Sequence, residues 1–360
     1  TARARNHFRN IVVGAMRNSI WFMIGEPCLV CSQGSEELNR SSCLCHRSCS
    51  GCMIGSRSPG LPKKSFTPIF SSSASGPDAI AYLQEEHLLT HYAVMGDPIS
   101  HSKSPQIHSL FAQQTGDDLH YDKLQISVDD FAAEVAGFFG RGGSGLNITV
   151  PHKEAAFALA DHRSSRASTA RAANTLGRKP DGSIWADNTD GVGLVRDLTR
   201  NYQLPLSDQH VLMLGAGGAA RGVLAELINC APASITVMNR TQSRAEALRD
   251  DLAKYGLVHV RAINKRGGPL YDLVINGTST GLQNEGLQLD SALFAESFVA
   301  YDMMYAAYDT PFMKWAQAAG AQQVLDGLGM LVEQAAESFT LWHGVRPETA
   351  GVAASLRNGL

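Results

Sequence analysis

The sequence lacks an excess of charge of either sign, and it lacks a long apolar run. Its 31 basic and 34 acidic residues leave a formal net charge of −3, so the charge balance does not favour a nucleic-acid partner. No apolar stretch approaches the roughly 18 residues that a membrane-spanning helix needs, so we expect no membrane association. With 44% hydrophobic and 18% charged residues, the chain of 360 residues is expected to be globular, with more than one core.

Cysteine is almost absent from most of the chain. Six of the seven cysteines lie in the first 52 residues, and only Cys230 follows them. Two Cys-x-x-Cys pairs, at 28–31 and 49–52, have the spacing of a zinc knuckle, but little apolar sequence surrounds them to support a metal site. The Arg-rich and Ser-rich composition also resembles a transit peptide, although no cleavage site is evident. We therefore expect residues 1–90 to be an irregular, poorly ordered extension, and its role in targeting, in metal binding or as a start-site artefact stays open.

From residue 91 onward, short apolar runs alternate with helical patterns, which predicts an α/β protein with parallel sheets covered by helices. The strands predicted for a first unit are residues 92–96, 119–126 and 146–150, and its helices are residues 104–116 and 129–139. Ser104 and Pro105 are interpreted as the N-cap and the first-turn proline of the first helix. A hairpin is predicted over 176–187, turning at Asp181-Gly182. Two C-terminal helices, over 327–343 and 347–358, are expected to pack back on this unit.

A second unit begins with a glycine-rich turn between a strand and a helix. The apolar strand at 211–214 leads directly into the segment Gly-Ala-Gly-Gly-Ala-Ala-Arg-Gly, and a helix follows to residue 229. This order matches the dinucleotide-binding fingerprint, in which the helix N-terminus receives the pyrophosphate. The alternative is a glycine turn that only packs the helix on the strand. The residues predicted to bind the cofactor here are Gly215, Ala216, Gly217, Gly218 and Ala219. Further strands are predicted at 234–238, 270–276 and 298–303, and a helix at 241–255.

The end of the second strand of this unit indicates which dinucleotide is bound. An NAD-binding unit carries an acidic residue there, which accepts a hydrogen bond from the ribose 2′-hydroxyl. This sequence instead has Asn239, Arg240 and Thr241, with Arg244 one turn further. The two arginines could neutralise a 2′-phosphate, whereas a carboxylate would repel it. We therefore predict NADP(H) as the cofactor; the alternative is that both arginines are solvated residues at a helix start.

Polar side chains gather where the strands of the first unit end. Ser102 and Ser104 follow the first strand, Thr149 ends the third, and Asn174 comes before the predicted hairpin. Ligands bind at the carboxyl ends of strands in open α/β sheets, so these groups are expected to converge. Hydroxyls and amides in such numbers suit a small polyhydroxylated ligand rather than an apolar one.

Lys153 and Asp190 are the predicted catalytic pair. Hydride transfer at an alcohol carbon requires a partner for the hydroxyl proton, and a neighbouring aspartate would hold the lysine in place and favour its charged form. Spacing alone leaves open whether Lys153 relays the proton or only stabilises the alkoxide. Each residue also has a structural interpretation: Ser104 as an N-cap, Asp190 as a cap of the next helix, and Lys153 as an exposed residue at a helix start.

Eight segments of residues 91–360 resemble, in order and spacing, successive motifs of the shikimate dehydrogenase family. They lie at residues 92–105, 147–153, 173–176, 187–193, 215–219, 239–241, 301–305 and 326–334. The resemblance implies the reversible, NADPH-dependent reduction of 3-dehydroshikimate to shikimate, on the route to chorismate and the aromatic amino acids. It also implies a substrate domain over 91–192 that is completed by helices over 327–360, with an NADP-binding Rossmann domain over 193–326 between them.

The resemblance further implies the roles of individual residues. Lys153 and Asp190 would form the catalytic pair, and Met303 and Gly327 would lie beside the nicotinamide. The residues implied to bind shikimate are Ser102, Ser104, Thr149, Asn174, Asp190, Tyr305 and Gln334. No metal is expected in this site. We expect a cytoplasmic enzyme that acts on a small-molecule substrate as a monomer or a homodimer.

Two other functions are compatible with parts of the sequence. A quinate/shikimate dehydrogenase using NAD is the nearest alternative, and Arg240 with Arg244 argues against it. A non-catalytic NADP-binding regulator with the same fold would be expected to have lost Lys153 or Asp190, and both are present.

Overall fold

The computed structural model describes residues 90–360, except residues 255, 257, 264, 266 and 279–288, and two short strands near the N-terminus. The chain divides into two units, Thr1–Gln84 and Glu85–Leu360. In the first unit, β1 (Val12–Met16) and β2 (Ser19–Met23) pair antiparallel. The predictions for the cysteine pairs lie outside the described residues, as does the predicted end of the helix at residue 255.

The first sheet of the larger unit follows the predicted alternation of strands and helices. Its strands are β3 (Thr90–Gly96), β4 (Leu119–Gln125), β5 (Gly145–Ile148), β6 (His162–Arg163), β7 (Thr175–Arg178) and β8 (Ile184–Asp187). Its helices are α1 (Ser104–Thr115), α2 (Phe131–Gly140), α3 (Lys153–Leu159), α4 (Ser165–Ala170) and α5 (Asp190–Arg196), and a π-helical turn (Asp197–Asn201) extends α5. The strand order is β4-β3-β5-β7-β8-β6, with β3 parallel to β4 and β5. The predicted hairpin is confirmed as β7 and β8, with Gly182 at φ +88° in its turn.

The start of α1 differs from the prediction in one respect. Lys103 already has helical backbone angles and is the N-cap, Ser104 is the first helical residue, and the Lys103 side chain makes no capping hydrogen bond. The interpretation of Ser104 as the N-cap is therefore wrong, because the helix extends one residue further toward the N-terminus than the cap signal indicates. Pro105 lies in the first turn as predicted, where its missing N–H costs nothing. The Ser104 hydroxyl is consequently not used by the helix.

The second sheet is entirely parallel and has the doubly wound order. Its strands are β9 (His210–Leu214), β10 (Ser234–Met238), β11 (Val258–Val260), β12 (Tyr271–Asn276), β13 (Phe294–Asp302) and β14 (Gln323–Leu325). They are arranged β11-β10-β9-β12-β13-β14, so the order reverses between β9 and β12. Helices α6 (Gly218–Asn229), α7 (Gln242–Leu252) and α8 (Pro311–Ala318) connect them, and a 3-10 turn (Ser291–Leu293) precedes β13. Ligands of such sheets bind at this reversal, outside the carboxyl ends of the strands.

Strand β9 shows why this segment is a buried parallel strand. Val211 and Met213 belong to one hydrophobic cluster, and Leu212 and Leu214 belong to another. Successive side chains point to opposite faces of a sheet, so both faces of β9 are covered and an uninterrupted apolar run is required. The four side chains are at most 2% exposed. Burying each contributes roughly 1.5–3 kcal/mol, which fixes the strand that ends at the glycine turn.

The C-terminal helices α9 (Leu328–His343) and α10 (Ala350–Asn358) pack against α1. Ile107 and Phe111 of α1 share a buried cluster with Val332 and Phe339 of α9 and with Leu356 of α10. The last residues of the chain therefore cover the first sheet rather than the second. Among the described residues, no helix has both the length and the apolar composition that crossing a membrane would require.

Candidate functional site

A cleft of about 440 Å³ opens where the carboxyl ends of strands from both sheets meet. Val94 of β3 and Ile148 of β5 line one side, and Asn276 at the end of β12 lines the other. Met330 of α9 completes the wall between them. This volume lies in the range of roughly 300–1,000 Å³ that small-molecule sites occupy.

Lys153 and Asp190 meet in this cleft although 37 positions separate them in the chain. The Lys153 Nζ atom donates a hydrogen bond to Asp190 Oδ2 at 2.6 Å, and the two side chains are 22% and 8% exposed. Lys153 is the first residue of α3, and Asp190 is the first residue of α5. The two structural interpretations do not hold: Lys153 is not exposed like a surface lysine, and Asp190 is not the cap of α5. The pair is within hydrogen-bonding distance, as a shared chemical role requires.

Asn174 holds the carboxylate from its other side, and Gln334 lies next to Asn174. Asn174 Nδ2 donates to Asp190 Oδ1 at 2.9 Å and lies 3.0 Å from Gln334 Oε1. The orientation of the Asn174 amide is set by the backbone N–H of Thr189, which donates to Asn174 Oδ1 at 2.8 Å. Asn174 is only 2% exposed. A fixed amide of this kind leaves Asp190 little freedom to turn away from Lys153.

The predicted hydroxyl groups lie in the same cleft. Ser102 Oγ donates to Ser104 Oγ at 3.2 Å, so the two serines present adjacent hydroxyls. Thr149 follows β5 and lies over Gly96, where a β-carbon would come within 2.4 Å of the threonine methyl group. Burial raises the pKa of the Tyr305 phenol, which remains a hydrogen-bond donor at neutral pH. These groups can together bind several oxygens of one polar ligand.

A buried polar network beneath the cleft was not predicted as functional. Asn147 of β5 accepts hydrogen bonds at Oδ1 from the Tyr121 hydroxyl at 2.7 Å and from His108 Nε2 at 3.1 Å. Its Nδ2 donates to the Asn174 carbonyl at 3.2 Å. Burial lowers the pKa of His108 to about 3, so the ring is neutral, and it raises the pKa of Tyr121 well above its ordinary value. The network supports the backbone of Asn174; its only sequence signal is a polar residue inside the apolar strand β5.

The glycine turn after β9 has the properties of a pyrophosphate site. Gly215 has φ +102°, a conformation that side chains rarely adopt, and a β-carbon there would lie 3.0 Å from Thr278 Cγ2. Among the described residues, a β-carbon at Gly217 or Gly218 would meet no atom within 4 Å. Helix α6 begins at Gly218 with no side-chain cap, so its first N–H groups face this space. The residues present therefore fit the diphosphate of a dinucleotide.

Arg240 and Arg244 are placed to extend that site. The Gly215 N–H donates to the Met238 carbonyl at 2.8 Å, so the residues that follow β10 lie beside the glycine turn. Both arginines are exposed, and within the described part of the chain neither guanidinium has a hydrogen-bond or ion-pair partner. Thr241 precedes α7, and its side chain makes no capping bond. Two such guanidinium groups in this position can bind a phosphate group.

The predicted residues separate into two groups in space. Those that line the cleft are Ser102, Ser104, Thr149, Lys153, Asn174, Asp190, Ala219, Met303, Tyr305, Gly327 and Gln334. The others do not line it and lie at the ends of β9 and β10: Gly215, Ala216, Gly217, Gly218, Asn239, Arg240, Thr241 and Arg244. Met303 and Gly327 are in contact, since a β-carbon on Gly327 would lie 2.3 Å from the Met303 carbonyl oxygen. Only glycine fits at that point of the cleft wall.

Comparison with known proteins identifies the family. Residues 94–176 match the shikimate dehydrogenase substrate binding domain, residues 197–284 match shikimate/quinate 5-dehydrogenase, and residues 327–357 match the shikimate 5′-dehydrogenase C-terminal domain.

Individual relatives agree with these matches. Proteins named shikimate dehydrogenase (NADP(+)) from Alkalilimnicola ehrlichii and Marinobacter nauticus are each 52% identical, over 74% of this chain and 98% of their own length. The structure of shikimate 5-dehydrogenase from Thermus thermophilus in complex with NADP(H) and shikimate has a TM-score of 0.67 and 32% identity, covering 76% of this chain and 100% of that one. The chain therefore belongs to the shikimate dehydrogenase family.

Proposed function

We propose that the protein catalyses the reversible reduction of 3-dehydroshikimate to shikimate with NADPH. The observation that carries this proposal is the Lys153–Asp190 pair, whose carboxylate accepts a hydrogen bond from Asn174, in a cleft lined with hydroxyl groups. Family membership supports the choice of substrate, because the relatives are named NADP-dependent shikimate dehydrogenases. The glycine turn beside the cleft supports the choice of a dinucleotide.

Lys153 is the group that exchanges the proton. Its ammonium has three N–H donors, and Asp190 accepts only one of them within the described residues, so the others can reach a ligand in the cleft. When bound, NADPH supplies the hydride to the substrate carbonyl carbon. Lys153 then gives a proton to the carbonyl oxygen, and in the reverse direction it takes the proton from the hydroxyl. Asp190 stabilises the ammonium and keeps it pointed at that oxygen.

The remaining polar groups of the cleft bind the substrate. The ring carries hydroxyls and a carboxylate, and we assign their binding to Ser102, Ser104, Thr149, Asn174, Asp190, Tyr305 and Gln334. Met303 and Gly327 form the wall against which the nicotinamide lies. The glycine turn at 215–219 and the residues Asn239, Arg240, Thr241 and Arg244 bind the rest of the cofactor.

A direct assay tests the activity. We expect the purified protein to oxidise shikimate with NADP⁺ and to do so much more efficiently than it oxidises quinate or uses NAD⁺, as followed by absorbance of the reduced nicotinamide. Turnover of quinate comparable to that of shikimate would make the protein a quinate/shikimate dehydrogenase. No turnover of either compound with either cofactor would favour a non-catalytic NADP-binding protein.

The cofactor preference has its own test. Replacing both arginines, in R240Q/R244Q, should raise KM for NADP⁺ at least about tenfold, since roughly 1.4 kcal/mol of charge-assisted binding to the 2′-phosphate is lost. KM for NAD⁺ should stay nearly unchanged. R249Q is the matched control, because Arg249 lies on the same helix and pairs with Asp250. Equal increases for NADP⁺ and NAD⁺ would remove the arginines from 2′-phosphate recognition.

We assign substrate binding and cofactor binding to different sheets. We assign substrate binding to residues 91–192 together with 327–360, and NADP binding to residues 193–326. The packing of α9 and α10 on α1 supports this assignment. A cytoplasmic location and a monomeric or homodimeric state accord with a small-molecule dehydrogenase; sedimentation velocity of the purified chain distinguishes the two states.

A further inference from the structure

Three metal-ligating side chains converge at the end of the first sheet that is opposite the cleft. His91 is the second residue of β3, and its register partner is His120, the second residue of β4. Asp122 lies two positions further along β4, on the same face as His120 because side chains alternate along a strand. We propose that His91, His120 and Asp122 bind one transition-metal ion of the zinc class. This site is independent of the catalytic cleft.

The geometry of the three groups suits a single ion. His91 Nε2 lies 2.8 Å from Asp122 Oδ2, and His120 Nε2 lies 3.0 Å from Asp122 Oδ1. One ligand atom from each side chain can be chosen so that all three lie within 4.8 Å of one another. Zinc bonds of about 2.0–2.2 Å at tetrahedral angles place ligand atoms roughly 3.4 Å apart. The two nitrogen–oxygen pairs therefore have to separate by only about half an ångström, and ligand atoms that are further apart have to move closer together. Side chains that are 40–55% exposed have room for both movements.

The chemistry of the donors selects the class of metal. Two imidazole nitrogens and one carboxylate oxygen favour zinc and its neighbours over calcium or magnesium, which prefer sites made only of oxygen. Three protein ligands at an exposed position leave one coordination position for water. The His91 ring also packs on Phe138, with centroids 5.0 Å apart, so one ligand is already held in place.

The position of the site indicates what the ion does. Strand β4 is at the edge of the sheet, and its neighbour is β3. A metal held by one ligand from β3 and two from β4 joins the edge strand to the sheet at the amino ends of both strands. An ion that binds only the folded protein stabilises it by mass action, so thermal unfolding should report occupancy.

Zinc binding is tested on the full chain, expressed without a histidine tag and stripped with a chelator. The cysteines are first alkylated, so that thiolates do not contribute to binding. Calorimetric titration with zinc chloride should show a site in the wild type whose affinity falls at least about tenfold in H120A and in D122N. H259A is the matched control, because His259 is an exposed histidine on β11 of the other sheet.

Thermal unfolding provides the second readout. Saturating zinc should raise Tm of the wild type and of H259A and leave H120A and D122N unchanged. D122N keeps the shape of the side chain, so the test does not depend on H120A alone. Equal zinc affinity in the wild type, H120A and D122N would overturn the proposal, and so would a titration of the alkylated wild type without binding. In both cases the contacts would be simple histidine–carboxylate hydrogen bonds.

Discussion

Replacing Lys153 by alanine should reduce kcat for shikimate oxidation about 1,000-fold and change KM for shikimate less than about threefold. The Lys153 ammonium is the cation next to the Asp190 carboxylate in the cleft, and it supplies the proton that the developing alkoxide needs. Its loss affects the transition state far more than the bound ground state, because charge on the reacting oxygen develops only during the reaction. Steady-state kinetics with saturating NADP⁺ measure both constants.

A second substitution at the same position separates the two roles of the lysine. Arginine keeps the positive charge but does not give up a proton near neutral pH. If Lys153 relays the proton, K153R should be nearly as slow as K153A; if the charge alone is needed, K153R should recover much of the lost rate. K179A, on the β7–β8 turn, is the control and should behave as the wild type. A K153A enzyme with normal kcat and a raised KM would make Lys153 a binding residue only.

The sequence predicts most of the second sheet because local signals and tertiary packing agree there. The bounds of β10 are the predicted ones, and helix α6 ends at Asn229 as predicted. The glycine turn is also recognisable, since Gly215 needs a positive φ that other residues avoid. Helix α8 was not predicted, although Thr310 caps its first turn through the Met313 N–H and Pro311 follows the cap. The capping threonine and the first-turn proline are a sequence signal for this helix.

The shorter elements of the first sheet were less predictable for a physical reason. Helices α3 and α4 have seven and six residues, too few for an apolar stripe with a helical period to show. Strand β6 has only two residues and exists through its pairing with β8. The Ser104 prediction failed because a cap signal does not determine whether the preceding residue is already helical.

From the sequence, only those cleft residues that belong to a recognisable motif could be assigned to the site. Lys153 and Asp190 were assigned together from such motifs, and the fold brings them to 2.6 Å. The contacts of Asn147 with Tyr121 and His108 depend on the packing of α1 against two strands, which no local pattern encodes. The pairing of His91 with His120 likewise depends on the register between β3 and β4, and 29 positions separate the two residues in the chain.

Glu333 is the residue whose loss should cost the most stability. Its carboxylate on α9 is 1% exposed and accepts hydrogen bonds from Arg196 of α5, from Arg346 and from Thr349. Removing the buried carboxylate leaves Arg196 without this partner and leaves Arg346 paired with Glu337 alone, so E333Q should lower the free energy of unfolding by about 3 kcal/mol at pH 7. Urea denaturation measures the difference. Glu134, whose side chain is 44% exposed and lies 3.9 Å from Arg141, provides the control E134Q, which should change stability by less than about 0.5 kcal/mol.

The same substitution has a defined pH dependence. Burial alone would raise the pKa of Glu333, but the hydrogen bonds from Thr349, Arg196 and Arg346 outweigh it and lower the pKa below the ordinary value of 4.5. A depressed folded-state pKa means that the stabilisation is complete above the unfolded-state value and is lost as pH falls through the folded-state value. The stability gap between wild type and E333Q should therefore be constant from pH 7 to about pH 5 and shrink below about pH 4.5. A gap that stays unchanged down to pH 3.5, or an E333Q protein as stable as E134Q, would show that the charge of Glu333 does not hold α5, α9 and the segment before α10 together.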